Sequence, residues 1–240
     1  MSRLEPTSQT DIEQRLLYGL AHDMGAPLRS VVQFSGLLLD RLDSRLDDKE
    51  RFWLKLVAEN GARSQTMLAA LLHYTKLASE RQEGQPIDVD QAIANVLSEL
   101  QAKLREAGAV VHSRASNQYI TGDRAQFEEL LKHLLNNALT YQRTGNAAQI
   151  AISASSIANQ FELLVEDNGI GVKPKDYEQI SSPFSRLHGA EEYPGIGMGL
   201  AHCWRIVDLA GGHISFNHSA LGGLAVHCRM PLRNKGDAPC

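Results

Sequence analysis

The chain has 240 residues, of which 43% are hydrophobic, and its formal net charge is −4 at pH 7. This length allows one large domain or two smaller ones. Because the basic residues are scattered and not in excess, no nucleic-acid partner is expected. No apolar run approaches the roughly 18 residues that suggest a transmembrane helix, so no membrane insertion is expected.

The cysteines favour a reducing compartment. There are three, Cys203, Cys228 and Cys240, without a CxxC pair, and an odd number argues against a disulfide framework. The N-terminal segment MSRLEPTSQTD lacks the apolar centre of a signal peptide. We therefore predict a cytoplasmic protein.

Two long helices are predicted in the first 80 residues. The first has an apolar stripe in steps of three and four residues, through Leu17, Leu20, Met24, Leu28, Val31, Ser35, Leu38 and Leu42. Pro27 is expected to kink this helix. Asp47 and Glu50 have the spacing of a capping box that opens the second helix, which has stripes starting at Trp53 and Leu54. One hairpin cannot cover all these surfaces, so we predict a homodimer with a four-helix bundle.

His22 and Asp23 lie within the first helix. Two residues correspond to about 200° around a helix, so His22, between Leu20 and Met24, points away from the apolar stripe. A neutral imidazole is available near pH 7 and can act as a nucleophile. An ordinary exposed histidine would have the same pattern, so both interpretations of His22 stay open at this point.

Residues 79–90 have the composition of a linker, and helices and strands alternate beyond it. Helices are predicted at 93–107, at 123–141 and from residue 199 to the glycines at 211 and 212. Strands are predicted at 109–115, 148–157, 159–169, 212–219 and 223–232. Together they predict an α+β fold in which a mixed sheet is covered by helices on one face.

Two polar positions of this half suit ligand binding. Asn137 interrupts the apolar 123–141 helix, and an amide oxygen is a suitable ligand for Mg²⁺; a surface amide is the alternative. Asp167 ends a strand and precedes Gly169 and Gly171. Its carboxylate could accept a hydrogen bond from an amine such as that of adenine, and a common Asn-Gly turn is the alternative.

A glycine cluster, Gly195, Gly197 and Gly199, opens the last helix. Bare amides at a helix N-terminus form a phosphate site, and a flexible surface loop is the alternative. The cluster is neither a dinucleotide fingerprint, because no strand precedes it, nor a Walker A loop, because no Gly-Lys-Ser/Thr follows. The polar segment 172–193, with Phe184 as an anchor, is predicted to be a mobile lid.

The order and spacing of these motifs resemble the sensor histidine kinases of two-component systems. The resemblance covers residues 10 to 233 and is carried by His22-Asp23, Pro27-Leu28, Asn137-Ala138, Asp167-x-Gly-x-Gly, Phe184 and Gly-x-Gly-x-Gly-Leu. The segment FSRLHGAEEYPG is similar to the phytochrome-linked branch. The resemblance implies a dimerisation and phosphoacceptor hairpin at 11–79. It also implies an α/β sandwich ATP-binding domain of the Bergerat type, shared with gyrase and heat-shock ATPases, at 86–233.

The resemblance also implies roles. His22 would accept the γ-phosphoryl group of ATP and Asp23 would take or orient its ring proton. Asn137 would hold Mg²⁺, and Asp167 would bind the adenine amino group. The other nucleotide-binding positions would be His133, Gly169, Gly171, Arg186, Gly195, Gly197, Gly199 and Leu200. The phosphoryl group would pass to an aspartate of a response regulator receiver domain, and a separate sensor or activator protein is a further candidate partner.

Three positions depart from the family pattern. His133 replaces an asparagine, Thr140 a lysine and Ile196 a threonine, and each change would weaken the handling of phosphate or Mg²⁺. The alternative function is therefore a non-catalytic phosphotransfer or scaffold protein with a decayed ATP-binding domain. An ATPase of the chaperone or gyrase type is disfavoured because it would need a carboxylate where His133 stands and would leave His22 without a role.

Ala26 predicts a weak phosphatase activity towards the regulator. Phosphatase-competent members of the family often carry threonine or asparagine four residues after the histidine, where a polar group orients water. We expect slow loss of phosphate from a phosphorylated partner regulator when the protein and ADP are added. Rapid dephosphorylation in that assay would contradict the prediction.

Overall fold

The computed structural model describes residues 9–82, 84–115, 118–189 and 191–232. The chain divides into two compact units, one reaching Ser79 and the other beginning at Glu80. Residue 233, the predicted end of the second domain, and Cys240 lie outside the described residues. Among the described helices, none is both long and apolar enough to span a membrane.

The first unit is a hairpin of α1 (Gln9–Leu42) and α2 (Asp48–Lys76). The predicted capping box is confirmed. The Asp47 carboxylate accepts from the backbone N–H of Glu50 at 2.8 Å, and the Glu50 carboxylate accepts from the N–H of Asp47 at 2.9 Å. Arg51 Nε also lies 2.7 Å from the Asp43 carboxylate across the turn. These bonds satisfy N–H groups at the start of α2 that would otherwise lack a partner.

The hairpin has a covered seam and an exposed apolar face. The seam includes the buried residues Ala21 and Ser35 of α1 and Gly61 of α2. The exposed apolar face consists of large side chains of both helices: Leu20, Met24, Val31, Phe34, Leu37, Leu38, Phe52, Trp53, Leu56 and Val57. Much of the predicted α1 stripe therefore lies on the exposed face. An apolar surface of this extent is typical of an interaction site.

Replacing Gly61 by leucine is expected to destabilise the hairpin. A Cβ atom at Gly61 would lie 2.8 Å from Val32 Cγ2 and 3.5 Å from Val31 Cγ1. A larger side chain must push the helices apart, and such overpacking costs about 1–3 kcal/mol. The control is Gly36→Ala, because no heavy atom of the described residues lies within 4 Å of its added Cβ. Thermal unfolding followed by circular dichroism should show a lower midpoint for Gly61→Leu alone, and equal midpoints would contradict this packing.

The described residues of the second unit form two sheets and five α-helices. Its strands are β1 (Gln85–Asp88), β2 (Val110–Ala115), β3 (Tyr119–Gly122), β4 (Gln149–Ile157), β5 (Gln160–Asp167), β6 (His213–His218) and β7 (Leu224–Pro231). Its helices are α3 (Val89–Glu99), α4 (Gln101–Glu106), α5 (Arg124–Thr140), α6 (Tyr177–Ile180) and α7 (Gly199–Leu209), with a 3₁₀ helix at Pro174–Asp176. The main sheet has the order β2-β4-β5-β7-β6, and β1 pairs with β3.

The core of this unit lies between the main sheet and the helices α5 and α7. The strands β2 and β4 are parallel and the other pairs are antiparallel, which makes the sheet mixed as predicted. Phe127 of α5 meets Phe161 of β5 edge to face, with ring centroids 6.0 Å apart. The apolar side predicted for α5 is buried: Phe127, Leu130, Leu131, Leu134, Leu135 and Ala138. A helical hairpin followed by an α/β sandwich confirms the predicted fold class, and the dimeric bundle stays a prediction.

Two local predictions were wrong, and one strand was missed. The segment 79–90 is not all linker, because β1 and the start of α3 lie within it and Ile87 and Val89 are buried. The helix expected at 93–107 starts earlier, where Asp88 accepts from the Gln91 N–H at 3.0 Å, and it is divided at Leu100. The strand β3 was not predicted. Paired strands of four residues are too short for an alternating pattern to identify them.

Candidate functional site

Asp167 lies at the end of β5 with one carboxylate oxygen fixed. Its Oδ1 accepts from the backbone N–H of Gly169 at 2.8 Å and from that of Leu224 at 3.0 Å. Burial raises the pKa of Asp167 above its ordinary value, and these two hydrogen bonds oppose the rise. Within the described part of the chain, no protein group donates a hydrogen bond to Oδ2. A half-buried carboxylate with a raised pKa and an oxygen that accepts no hydrogen bond from the described residues is typical of a ligand site.

Glycines allow the backbone to approach this carboxylate closely. A Cβ at Gly223 would lie 2.0 Å from Asp167 Oδ1, and one at Gly169 would lie 2.2 Å from the carbonyl oxygen of Tyr141. Gly171 has a φ of 70°, a conformation that side-chain-bearing residues rarely adopt. Gly169 and Gly171 were singled out from the sequence. Gly223 was not, although its backbone N–H donates to the carbonyl oxygen of Asp167 at 3.0 Å.

A cleft with about 820 Å³ of empty space, including its open mouth, lies beside Asp167. Its walls are mainly apolar, formed by Leu134, Val165, Ile170, Val172, Ile180, Leu187, Leu224 and Val226. Seven of the sequence-predicted residues line the same cleft: Asn137, Asp167, Gly171, Arg186, Gly197, Gly199 and Leu200. A largely apolar cleft with a few convergent polar groups is the usual form of a small-ligand site.

The start of α7 meets Asn137 at this cleft. A Cβ at Gly199, the first residue of α7, would lie 3.2 Å from the amide Oδ1 of Asn137. Gly197 has a φ of 77°, and a Cβ there would lie 2.5 Å from the carbonyl oxygen of Ser185. Gly195 has a φ of 138° with open space around it, and it does not line the cleft. The N-terminal amides of α7 and the Asn137 amide therefore share one wall.

His133 lies one turn before Asn137 but outside the lining of the cleft. Its Nε2 lies 3.2 Å from the Glu129 carboxylate, and its ring stacks on His202 with centroids 5.0 Å apart. The buried His202 has its Nδ1 2.8 Å from the carbonyl oxygen of Met198. The nucleotide-binding role of His133 stays a prediction that this position does not favour.

Arg186 belongs to the predicted lid and lines the cleft. Its Nη2 donates to the carbonyl oxygens of Gly189, at 2.8 Å, and of Tyr193. Its buried Nε has no hydrogen-bond partner within the described residues. The lid also contacts the end of α5, since the Tyr193 ring lies 5.2 Å from that of Tyr141. The guanidinium is thus folded onto its own loop, and the mobility of the lid stays a prediction.

Arg143 was missed by sequence reasoning. Its Nε donates to the Gly169 carbonyl at 2.9 Å, and its Nη2 donates to the Gly222 carbonyl at 2.8 Å. Both acceptors lie in loops next to Asp167. The residue follows the end of α5 in a polar segment, QRTGN, where nothing local distinguishes an arginine that binds two loops from a solvated one.

His22, in the first unit, is accessible. Its side chain is 73% exposed, and its Nδ1 lies 3.4 Å from the Asp23 carboxylate, near the upper limit for a hydrogen bond. The Tyr18 ring stacks beside it at 6.4 Å between centroids. The high exposure is consistent with a side chain that points away from the apolar stripe of α1, and the role of His22 stays a prediction.

Comparisons with known proteins agree on one family. Residues 122–234 match the model of the histidine kinase-, DNA gyrase B- and HSP90-like ATPases. Cyanobacterial phytochrome A of Nostoc sp. is 30% identical over 219 residues, which cover 91% of this chain and 28% of the relative. Histidine protein kinase DivJ of Caulobacter vibrioides is 25% identical over 223 residues, which cover 91% of this chain and 37% of the relative. The chain thus spans less than half the length of either relative.

Solved histidine kinases share the fold. Full-length ShkA in complex with AMPPNP has a TM-score of 0.66 at 22% identity, covering 92% of this chain and 46% of that chain. Acinetobacter baumannii histidine kinase AdeS has a TM-score of 0.63 at 20% identity, covering 86% and 96%. The fold, the ATPase family match and the curated relatives lead to one conclusion: the chain belongs to the sensor histidine kinases.

Proposed function

We propose that this chain phosphorylates His22 with ATP and passes the phosphoryl group to an aspartate of a response regulator. The observation that carries the proposal is the cleft that collects Asp167, Asn137, Gly197 and Gly199. Membership of the sensor histidine kinases supports it. Because the chain spans less than half the length of these curated relatives, the activity of the whole protein is itself part of what we propose.

The cleft fits ATP as the substrate. Oδ2 of Asp167 would accept a hydrogen bond from the adenine amino group, and the apolar walls suit a flat base. The phosphates would lie near Gly197 and Gly199, because backbone amides and the positive end of α7 favour anions. A side chain at Gly197 would collide with the Ser185 carbonyl, so this loop needs its glycine.

Asn137 is the residue that would hold Mg²⁺. Its amide oxygen is a hard ligand of the kind that Mg²⁺ accepts, and Mg²⁺ usually keeps several waters and binds few protein groups. When bound, the ion would neutralise phosphate charge. The glycine at the start of α7 lets the backbone approach Oδ1 of Asn137, so an ion held by Asn137 would lie close to the proposed phosphate site.

The chemistry proposed at His22 is an in-line displacement. Asp23 lies near Nδ1 and favours the tautomer with its proton on Nδ1, which leaves the lone pair on Nε2. Nε2 forms a bond to the γ-phosphorus as the bond from that phosphorus to the ADP oxygen breaks. The Nδ1 proton passes to Asp23 or to water, and ADP leaves.

The partners form the remaining part of the proposal. The exposed apolar face of the hairpin would be covered by a second copy of the chain in a four-helix bundle. A receiver domain would take the phosphoryl group, and a separate sensor or activator protein would supply the signal. The cysteine composition favours a cytoplasmic location.

A label-and-chase experiment tests this function. Protein incubated with γ-labelled ATP and Mg²⁺ should gain acid-labile label. Excess ADP should then remove it by reversal, because a P–N bond keeps a high transfer potential, and an added receiver domain should accept it. A protein that binds no Mg-ATP and takes no label would overturn the proposal in favour of the phosphotransfer scaffold.

A further inference from the structure

Arg143 forms a bridge between two loops. Its guanidinium donates from Nε to the Gly169 carbonyl at 2.9 Å and from Nη2 to the Gly222 carbonyl at 2.8 Å. Gly169 belongs to the loop after β5, and Gly222 belongs to the turn between β6 and β7. A planar guanidinium presents several donors in a fixed arrangement, so one side chain can fix the distance between the two loops.

The same two loops hold Asp167. The N–H of Gly169 and the N–H of Leu224 both donate to Oδ1, at 2.8 and 3.0 Å. The N–H of Gly223 also donates to the main-chain carbonyl of Asp167 at 3.0 Å. The loop after β5 therefore contributes one donor to Oδ1, and Leu224, where the turn of Gly222 enters β7, contributes the other. If the loops separate, Oδ1 loses one of its donors and the carboxylate can rotate.

The end of α5 is tied to the same place. The N–H of Ile170 donates to the carbonyl of Tyr141 at 3.0 Å, and Arg143 follows Tyr141 by two residues. Because α5 also carries Asn137, the bridge fixes the helix with the Mg²⁺ candidate relative to the carboxylate. A change at Arg143 is therefore expected to act on the direction of Asp167, although Arg143 does not line the cleft.

We propose that Arg143 is a positioning residue that orients the Asp167 carboxylate and thereby sets the preference for an adenine base. The inference rests on the proposed function, in which Asp167 accepts a hydrogen bond from the adenine amino group. Inosine triphosphate has a carbonyl oxygen where adenine has that amino group, so a well-oriented carboxylate should reject it. The quantity that reports the orientation of the carboxylate is the ratio of the dissociation constants of inosine triphosphate and ATP.

The experiment measures the dissociation constants of Mg-ATP and of the Mg²⁺ complex of inosine triphosphate by calorimetry. The wild type should prefer ATP. In Arg143→Ala the preference for ATP over inosine triphosphate should fall about five- to tenfold, which is the effect of losing one hydrogen bond to Asp167. The dissociation constant of inosine triphosphate should change less than that of ATP. Arg143→Lys should resemble Arg143→Ala, because one ammonium group cannot span both carbonyls. The control is Arg229→Ala, whose arginine pairs with Glu162 at 2.8 Å on the sheet and should keep the wild-type ratio.

The outcomes separate the inference from the function on which it rests. An unchanged ratio in Arg143→Ala, including equal weakening of the binding of both nucleotides, would overturn the role of Arg143 while ATP binding by the wild type stands. A wild-type ratio in Arg143→Lys would overturn it as well. A wild type that binds no ATP would overturn the proposed function as well. If Arg143→Ala does not fold, the ratio in Arg143→Lys decides alone.

Discussion

The Asp167→Asn variant is expected to lose about ten- to a hundredfold in affinity for ATP. An asparagine keeps a carbonyl oxygen for the N–H groups of Gly169 and Leu224, but its second position becomes an amide donor that faces the adenine amino group. A hydrogen bond to a charged acceptor contributes about 1.5–3 kcal/mol, which corresponds to this loss. Calorimetric titration with Mg-ATP measures it.

The thermal stability of Asp167→Asn should not fall together with its ATP affinity. Burial raises the pKa of Asp167 above its ordinary value of 3.8, so the folded state binds the proton more tightly than the unfolded state. The free energy of unfolding therefore decreases as the pH rises from the ordinary pKa through the folded pKa. At neutral pH the charged carboxylate lowers the free energy of unfolding. Asp167→Asn should therefore unfold at the same temperature as the wild type or at a higher one.

The control for this experiment is Asp208→Asn. Asp208 lies near the C-terminal end of α7 and pairs with Arg205 at 3.3 Å, outside the cleft, so its loss should leave ATP affinity unchanged. An Asp167→Asn protein that binds ATP as tightly as the wild type would contradict the assignment of Asp167. A protein that has lost both affinity and thermal stability would show unfolding rather than a lost contact.

The second large effect is expected from Trp53→Glu, which should dissociate the proposed dimer. The Trp53 side chain is 59% exposed and lies among Phe52, Leu56 and Val57 on the exposed apolar face. If a second copy covers this face, each copy would bury a charge in place of an aromatic anchor. Interface tryptophans typically contribute about 2 kcal/mol or more, which raises the dissociation constant roughly thirtyfold for each copy.

Sedimentation velocity over a range of concentrations measures this change. The matched control is Lys55→Glu at an exposed polar position of α2, where the charge changes by about two units instead of one. Lys55→Glu should keep the wild-type association state. A Trp53→Glu protein that stays dimeric, or a wild type that is monomeric at all concentrations, would contradict the predicted bundle.

Features within one helix were predictable from the sequence. The apolar positions of α5 recur with the helical period, and all of them are buried. Asp47 and Glu50 also exchange their hydrogen bonds within one segment of four residues, so their spacing alone identified the cap. The seam of the hairpin was harder to predict, because α1 has apolar residues on two faces and only the partner helix determines which face is covered.

Contacts between distant residues were not predictable in the same way. Leu224 reaches Asp167 because β5 pairs with β7, with Glu166 opposite Ala225, and no local pattern encodes that register. Arg143 depends on the same pairing, since one of its acceptors follows β6. The chemistry of the cleft was therefore predicted residue by residue, while the groups that orient it required the fold.

The most direct test of the central claim is the phosphorylation of a His22→Gln variant. The protein would be incubated with γ-labelled ATP and Mg²⁺ beside the wild type and a His112→Gln control, which changes an exposed histidine of β2. We expect acid-labile label on the wild type and on His112→Gln, and none on His22→Gln. Equal label on His22→Gln would contradict His22 as the phosphoacceptor.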